Sequence, residues 1–202
     1  MKDEIDFGLT GGIACGKSTV TKTFRKYDIP LVDADIVARQ VVELGTYGLY
    51  QLTNCFGKEY LLEDDTLNRR KLGNLVFFDK NAMQKLNTIM KPLIETESKR
   101  QIEELHRNGY NIVGYDAALI CEFGYADQYR PLIVVSCRPE QQLERMMSRD
   151  EFTEQEALAR INAQMPVIEK VKYADYVIDT SKTLEDNKEQ SEAIVKKFIN
   201  VS

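Results

Sequence analysis

The stretch Leu9–Thr19 reads LTGGIACGKST, and Gly11 to Ser18 within it fits the spacing G-x-x-x-x-G-K-[ST]. That spacing belongs to loops whose backbone N–H groups turn inward around the oxygens of a phosphate chain. Gly11, Gly12 and Gly16 are expected to supply the permissive backbone of the nest. Lys17 then reaches the β- and γ-phosphates, and the Ser18 hydroxyl can ligate Mg²⁺. An apolar run precedes the loop and a helical pattern follows it, so a helix N-terminus adds to the anion site. Cys15 sits inside the loop, near that helix start, where a thiol pKa can fall; the simpler expectation is a small residue that fits.

Carboxylates form the second group of chemistry-bearing residues. Asp33 and Asp35, in LVDADIVARQ, stand two apart after a short apolar run. Read as extended chain, both side chains point to one side. One can then hold Mg²⁺ through water while the other accepts a proton from an attacking hydroxyl. The competing reading makes them a helix cap ahead of Ile36–Val42. Asp116 closes NIVGYD, at the kind of strand end where P-loop enzymes carry a metal-associated acid. Glu122 follows six residues later, either facing the same cleft or lying on the surface.

Basic residues form the third group. Arg145 and Arg149 are one helical turn apart and share a face, and Arg160 and Gln164 repeat the spacing further on. As plain surface they would pair with Glu144, Asp150 or Glu156. As a helix–turn–helix lid they would neutralise charge on a transferring phosphoryl group and exclude water.

Placing these residues requires strands that end at them. Ile5–Leu9, Ile112–Tyr115 and Leu132–Val135 read as buried parallel strands, with weaker ones at Pro30–Val32 and Tyr176–Ile178, each followed by Asp. Helical patterns alternate with them: Ser18–Tyr27, Glu140–Met147, and Thr153–Gln164 behind a Thr153/Glu156 capping box. Ala82, Leu86, Met90 and Ile94 recur every fourth residue toward Leu105, with Gly109 as a stop. The alternation predicts an α/β protein, a parallel sheet flanked by helices. From about 36 to 107 no strand interrupts the helical pattern, which predicts an inserted helical region.

The 202 residues suffice for one domain with a sizeable core. A formal net charge of −5 argues against a broad nucleic-acid surface. Cys15, Cys55, Cys121 and Cys137 make no C-x-x-C pair and share the chain with one histidine, which argues against zinc and against a disulfide framework. The acidic start and the lack of a run near ~20 apolar residues predict a cytoplasmic protein without membrane association. No protein partner can be inferred.

P-loops serve switches, motors and kinases. The nearest match to a guanine-reading N-K-x-D is Asn187-Lys188-Glu189-Gln190, which lacks the Asp, and no motor signature accompanies the loop. A small-molecule kinase fits best. The chain resembles the dephospho-CoA kinase family almost end to end, from FGLTGGIACGKSTV to ADYVIDTS. The intervening blocks IPLVDADIVARQVVE, NRRKLGNLVF, KPLIE, YDAALICE, QLERMMSRD and ARINAQM carry the resemblance by their order and spacing.

That resemblance implies a P-loop kinase fold with a nucleotide core, a helical region near 36–107 for the CoA moiety, and a lid near 145–165. It implies ATP-dependent phosphorylation of the ribose 3′-hydroxyl of dephospho-CoA, with Mg²⁺ assisting. Gly11, Gly12, Ile13, Ala14, Cys15, Gly16, Lys17, Ser18 and Thr19 would hold ATP, with Arg145 and Arg149 on its phosphates. Lys17, Asp35 and Arg149 would be catalytic, Asp35 as general base; Ser18 and Asp33 would attend the metal. Asp33, Asp35, Arg39, Lys91, Asp116 and Glu122 would lie by the acceptor. Two departures stand out. Lys91-Pro92 replaces the usual His-Pro, and Ala118-Leu119-Ile120 replaces Pro-Leu-Leu, freeing a backbone angle. Another small-molecule kinase, or a nucleotide-binding regulator without catalysis, remains the alternative. The adenine is expected near Asp179–Lys182.

Overall fold

Every residue of β1 (Phe7–Gly11) is buried, as a strand covered on both faces requires. The structure, a computed structural model, describes residues 6–150 and 152–199. The other strands are β2 (Leu31–Asp33), β3 (Gly114–Asp116), β4 (Leu132–Ser136) and β5 (Tyr176–Asp179), in the order β2-β3-β1-β4-β5. β1 pairs in parallel with β3 and β4, and β4 with β5.

All five expected strands form, with shifted ends. The first apolar run begins at Ile5, which lies outside the described residues, and β1 extends past Leu9 to Gly11 because its ladder reaches Val135. β3 starts at Gly114, not Ile112, since the Val113 N–H donates to Asp6 Oδ2 at 2.7 Å. Order reverses around β1, and at such a switch point the loops beyond the carboxyl ends form a crevice. The loop after β1 carries the cradle, and Asp116 is the last residue of β3.

The chain divides into two compact units, Met1–Val32 with Ile102–Ser202, and Asp33–Gln101. In the first, α1 (Lys17–Lys26) buries Val20 and Phe24, and α9 (Leu184–Ile199) brings Phe198 to the same place. The Phe7 ring lies 5.1 Å from Phe24 and 5.0 Å from Phe198, centroid to centroid. This unit also holds α6 (Pro139–Asp150), α7 (Glu154–Asn162) and α8 (Val167–Val171). The Thr153/Glu156 capping box opens α7 as expected.

The second unit contains α2 (Ala34–Gln40), α3 (Tyr47–Phe56), α4 (Arg69–Phe78) and most of α5 (Lys80–Arg107). It encloses its own core of Val42, Leu52, Leu72, Val76 and Ala82. Thr46 and Asn68 cap α3 and α4 through Leu49 N and Lys71 N. Between β2 and β3 the only pairing among the described residues is the isolated bridge of Leu61 with Leu67. Gly109, at φ +95°, lies just beyond the end of α5, where the left-handed region stops a helix. Among the described residues, no helix is long and apolar enough to cross a membrane.

Candidate active site

The cradle is built by close approach as much as by backbone angle. Gly16 adopts φ +83°, but the other left-handed residue of the loop is Ala14, at φ +59°, rather than Gly11 or Gly12. Those two glycines serve a different end. A Cβ on Gly12 would lie 2.5 Å from Val167 Cγ2, and one on Gly11 would lie 2.7 Å from the Val135 carbonyl. The expectation that all three glycines supply nest angles is therefore corrected: two of them admit neighbouring elements.

Side chains from three directions fasten the loop. Gln142 Nε2 donates to Ile13 O at 2.8 Å, Thr180 Oγ1 to Cys15 O at 2.8 Å, and Ile13 N to Gln164 Oε1 at 3.1 Å. Gln164 thus belongs to the cradle and not to a helix face shared with Arg160, because α7 stops at Asn162. Cys15 is enclosed, with its Sγ 3.0 Å from Cys137 Sγ just beyond β4. The hydrogen bond between them and burial push the Cys15 thiol up, while the same bond draws Cys137 down. The helix start does not lower this thiol, because it faces a sulfur and the core; Cys15 is enclosed, in keeping with the expectation of a small residue that fits.

Lys17 extends from the first residue of α1 and forms an ion pair with Asp116 Oδ1. Asp116 is 3% exposed, and its Oδ2 accepts from Thr21 Oγ1 at 3.2 Å. In the ladder Asp116 stands opposite Leu9, which sets this carboxylate beside the cradle's cation. Ser18 follows with its side chain exposed at the first turn of α1.

Lys170 of α8 is the residue sequence reasoning missed. It is fully buried, donating to Ala118 O at 2.7 Å and Gly11 O at 3.3 Å, and pairing with Glu122 Oε1 at 2.8 Å. Its signal was present: Val167, Lys170 and Val171 fall at i, i+3 and i+4, an apolar stripe with a lysine in it. Thr10 Oγ1 also donates to Ala118 O at 3.1 Å, so the turn after β3 is held by two donors. Glu122 Oε1 further accepts from Met165 N at 3.0 Å, while Oε2 is buried with no hydrogen-bond partner. Lys170→Met should cost about 3 kcal/mol, because a mostly buried carboxylate loses its cation. Urea unfolding measures this, and the double variant with Glu122→Gln should recover most of the loss. A single variant as stable as the parent would refute the pairing's importance.

A cleft of about 360 Å³ lies beside the loop, lined among others by Ser18, Thr19, Arg145, Arg149, Thr180 and Lys182. Arg145 is clamped to the turn after β5, its Nη2 donating to Thr180 O at 2.8 Å and its Nη1 to Thr180 Oγ1 at 3.2 Å. Arg149 meets the cleft one turn further along α6. Arg160 does not join them: it stacks on the Phe152 ring at 3.8 Å and donates to Glu156 O. Ser181 N and Oγ bond Asp179 Oδ1 at 2.9 and 2.5 Å, which holds that carboxyl below its usual range and shapes the turn.

In the second unit, Asp33 ends β2 and caps α2. Its Oδ1 accepts from Asp35 N at 2.8 Å and Ile36 N at 3.3 Å. Asp35 therefore begins a helix, and the extended arrangement of the two aspartates is corrected; the cap forms because Asp satisfies free N–H groups of a first turn. Asp35 is exposed and shares a helix face with Arg39, four residues on. Arg39 O accepts from Arg69 Nη2 at 2.9 Å, and burial followed by the Arg39 charge lowers the Arg69 pKa. Arg69 was passed over inside NRRKLGNLVF, where nothing separates it from its neighbours. Lys91 lies within α5, directly before Pro92.

The family model described as CoaE, dephospho-CoA kinase, matches residues 5–186. A dephospho-CoA kinase of Listeria innocua is 45% identical over 193 residues, covering 96% of each chain. The crystal structure of TT1252 from Thermus thermophilus superposes with a TM-score of 0.82 at 30% identity, covering 96% of this chain and 97% of that one. Dephospho-CoA kinase from Campylobacter jejuni shares the fold, with a TM-score of 0.65 at 24% identity over 96% and 97% of the two chains.

Proposed function

The chain belongs to the dephospho-CoA kinase family, and we propose how its residues divide the work of that reaction. ATP is the phosphoryl donor, dephospho-CoA the acceptor and coenzyme A the product. The observation that carries the assignment of roles is the Lys17 ammonium, held at the mouth of the cradle by Asp116.

In this reading the loop 11–19 holds the ATP phosphates with its N–H groups and with Lys17. Arg145, already fixed to Thr180, and Arg149 neutralise the charge that spreads over the transferring group. The adenine occupies the part of the cleft formed by Thr180, Lys182 and Thr183, one step beyond the turn expected from sequence. Asp35 takes the proton of the ribose 3′-hydroxyl as that oxygen bonds to the γ-phosphorus and the bond to the β-phosphate oxygen breaks. Ser18, exposed at the start of α1, and Asp33 would hold Mg²⁺, which supplies charge neutralisation to the phosphates.

Asp33, Arg39, Lys91, Asp116 and Glu122 are assigned to the acceptor. The Arg69 guanidinium, which donates to Arg39 O, adds a cation suited to its diphosphate. The region 36–107 is proposed as the acceptor-binding part and 145–165 as the lid, of which α6 and α7 are the helices. A cytoplasmic setting belongs to the same proposal, in keeping with four free thiols.

The test is ADP release with and without dephospho-CoA. Release that depends on dephospho-CoA is expected. Release driven by a nucleoside monophosphate and not by dephospho-CoA would overturn the acceptor; no release with either would favour a regulator.

A further inference from the structure

Two thiols that phosphoryl transfer does not use meet beneath the cradle. Cys15 belongs to the loop and Cys137 follows β4, 122 residues away, yet their Sγ atoms are 3.0 Å apart. Cys15 is wholly enclosed, and Cys137 is 6% exposed. The second cysteine borders open space. It lies on the wall of a cavity of about 660 Å³, together with Ser136, Pro139, Gln142 and Val167.

We propose that Cys15 and Cys137 form an oxidation site, at which a peroxide joins the two thiols and disables the phosphate cradle. The Cys137 sulfur, reached through the cavity, attacks one peroxide oxygen and breaks the O–O bond, giving a sulfenic acid and one water. The Cys15 sulfur then attacks Cys137 Sγ, forming the S–S bond and expelling the hydroxyl as a second water, the thiol protons completing both waters. Two electrons leave the thiols and two reduce the peroxide, so hydrogen peroxide becomes two waters. The bond shared by the sulfurs draws Cys137 down, which suits it to the first attack, and the 3.0 Å separation puts Cys15 in reach of the second.

Closing from 3.0 Å to a bond moves the sulfurs together by about 1 Å. The backbone that must follow is the cradle itself. Cys15 N donates to Gly12 O at 3.1 Å, and Cys15 O accepts from Thr180. Gly16, directly after Cys15, holds one of the loop's left-handed angles. A shift at Cys15 therefore re-aims the N–H groups that bind phosphate, and a dithiol reductant reverses it.

The experiment treats the reduced full chain with hydrogen peroxide. Loss of two hydrogens in the intact mass and a peptide linking Cys15 to Cys137 are expected. ADP release should fall by roughly 10²-fold, since a displacement near 1 Å can cost that much, and dithiothreitol should restore it. Cys137→Ala should keep its activity through the same treatment, whereas Cys121→Ala should not be protected. Absence of the cross-linked peptide from oxidised wild-type chain overturns the proposal, as does linked protein that turns over normally. The mass readout stands whichever acceptor the enzyme uses, so this failure is separable from failure of the kinase assignment.

Discussion

Lys17→Ala is expected to lower turnover by roughly 10²–10³-fold, the loss seen when one preorganised donor to a developing charge is removed. It will also lower stability. The ammonium and the Asp116 carboxylate are 20% and 5% exposed at their side chains, so removing the lysine takes the cation from a buried carboxylate whose Oδ2 accepts from Thr21 Oγ1. With the lysine partly open to water, about 2 kcal/mol is expected. The two effects separate in the double variant Lys17→Ala with Asp116→Asn. Its unfolding midpoint should return toward the parent while turnover stays low. Recovery of turnover along with stability would show that Lys17 acts on the fold and not on the phosphate.

Asp35→Ala should lower turnover by about 10²–10⁴-fold, the usual contribution of a positioned general base. Here the fold offers a clean measurement. Asp35 is exposed in the first turn of α2, and the cap comes from the Asp33 side chain acting on the Asp35 backbone, which alanine retains. The stability cost should be that of one acidic group at a helix start, about 0.5 kcal/mol. Asp33→Ala is less clean, because it also removes the cap and with it about 1 kcal/mol. Turnover of Asp35→Ala close to wild type would end the general-base assignment.

Much of the sheet was legible because buried parallel strands need short apolar runs, and their C-terminal loops need residues that can face a ligand. Phe7–Gly11 and Leu132–Ser136 show this in five residues each. Strand limits were less legible, since a ladder ends where its partner ends: Val113 left β3 for the Asp6 carboxylate. The extended reading of Asp33 and Asp35 gave way to the cap for a related reason. A three-residue strand can turn into a helix within one residue when an aspartate is there to cap it.

The sequence by itself determined the glycine-loop motif, the α/β alternation and the family. These rest on local spacing: a loop motif, a period of two or of 3.6, and the order of short blocks along the chain. Tertiary structure alone decided which glycines are needed for space and not for angle, that Lys170 carries its charge into the core, and that Arg145 is fastened to Thr180 while Arg160 is not. It also decided that Cys15 has a sulfur neighbour. Each of these depends on two side chains far apart in sequence arriving at one place, and no local pattern encodes such a meeting.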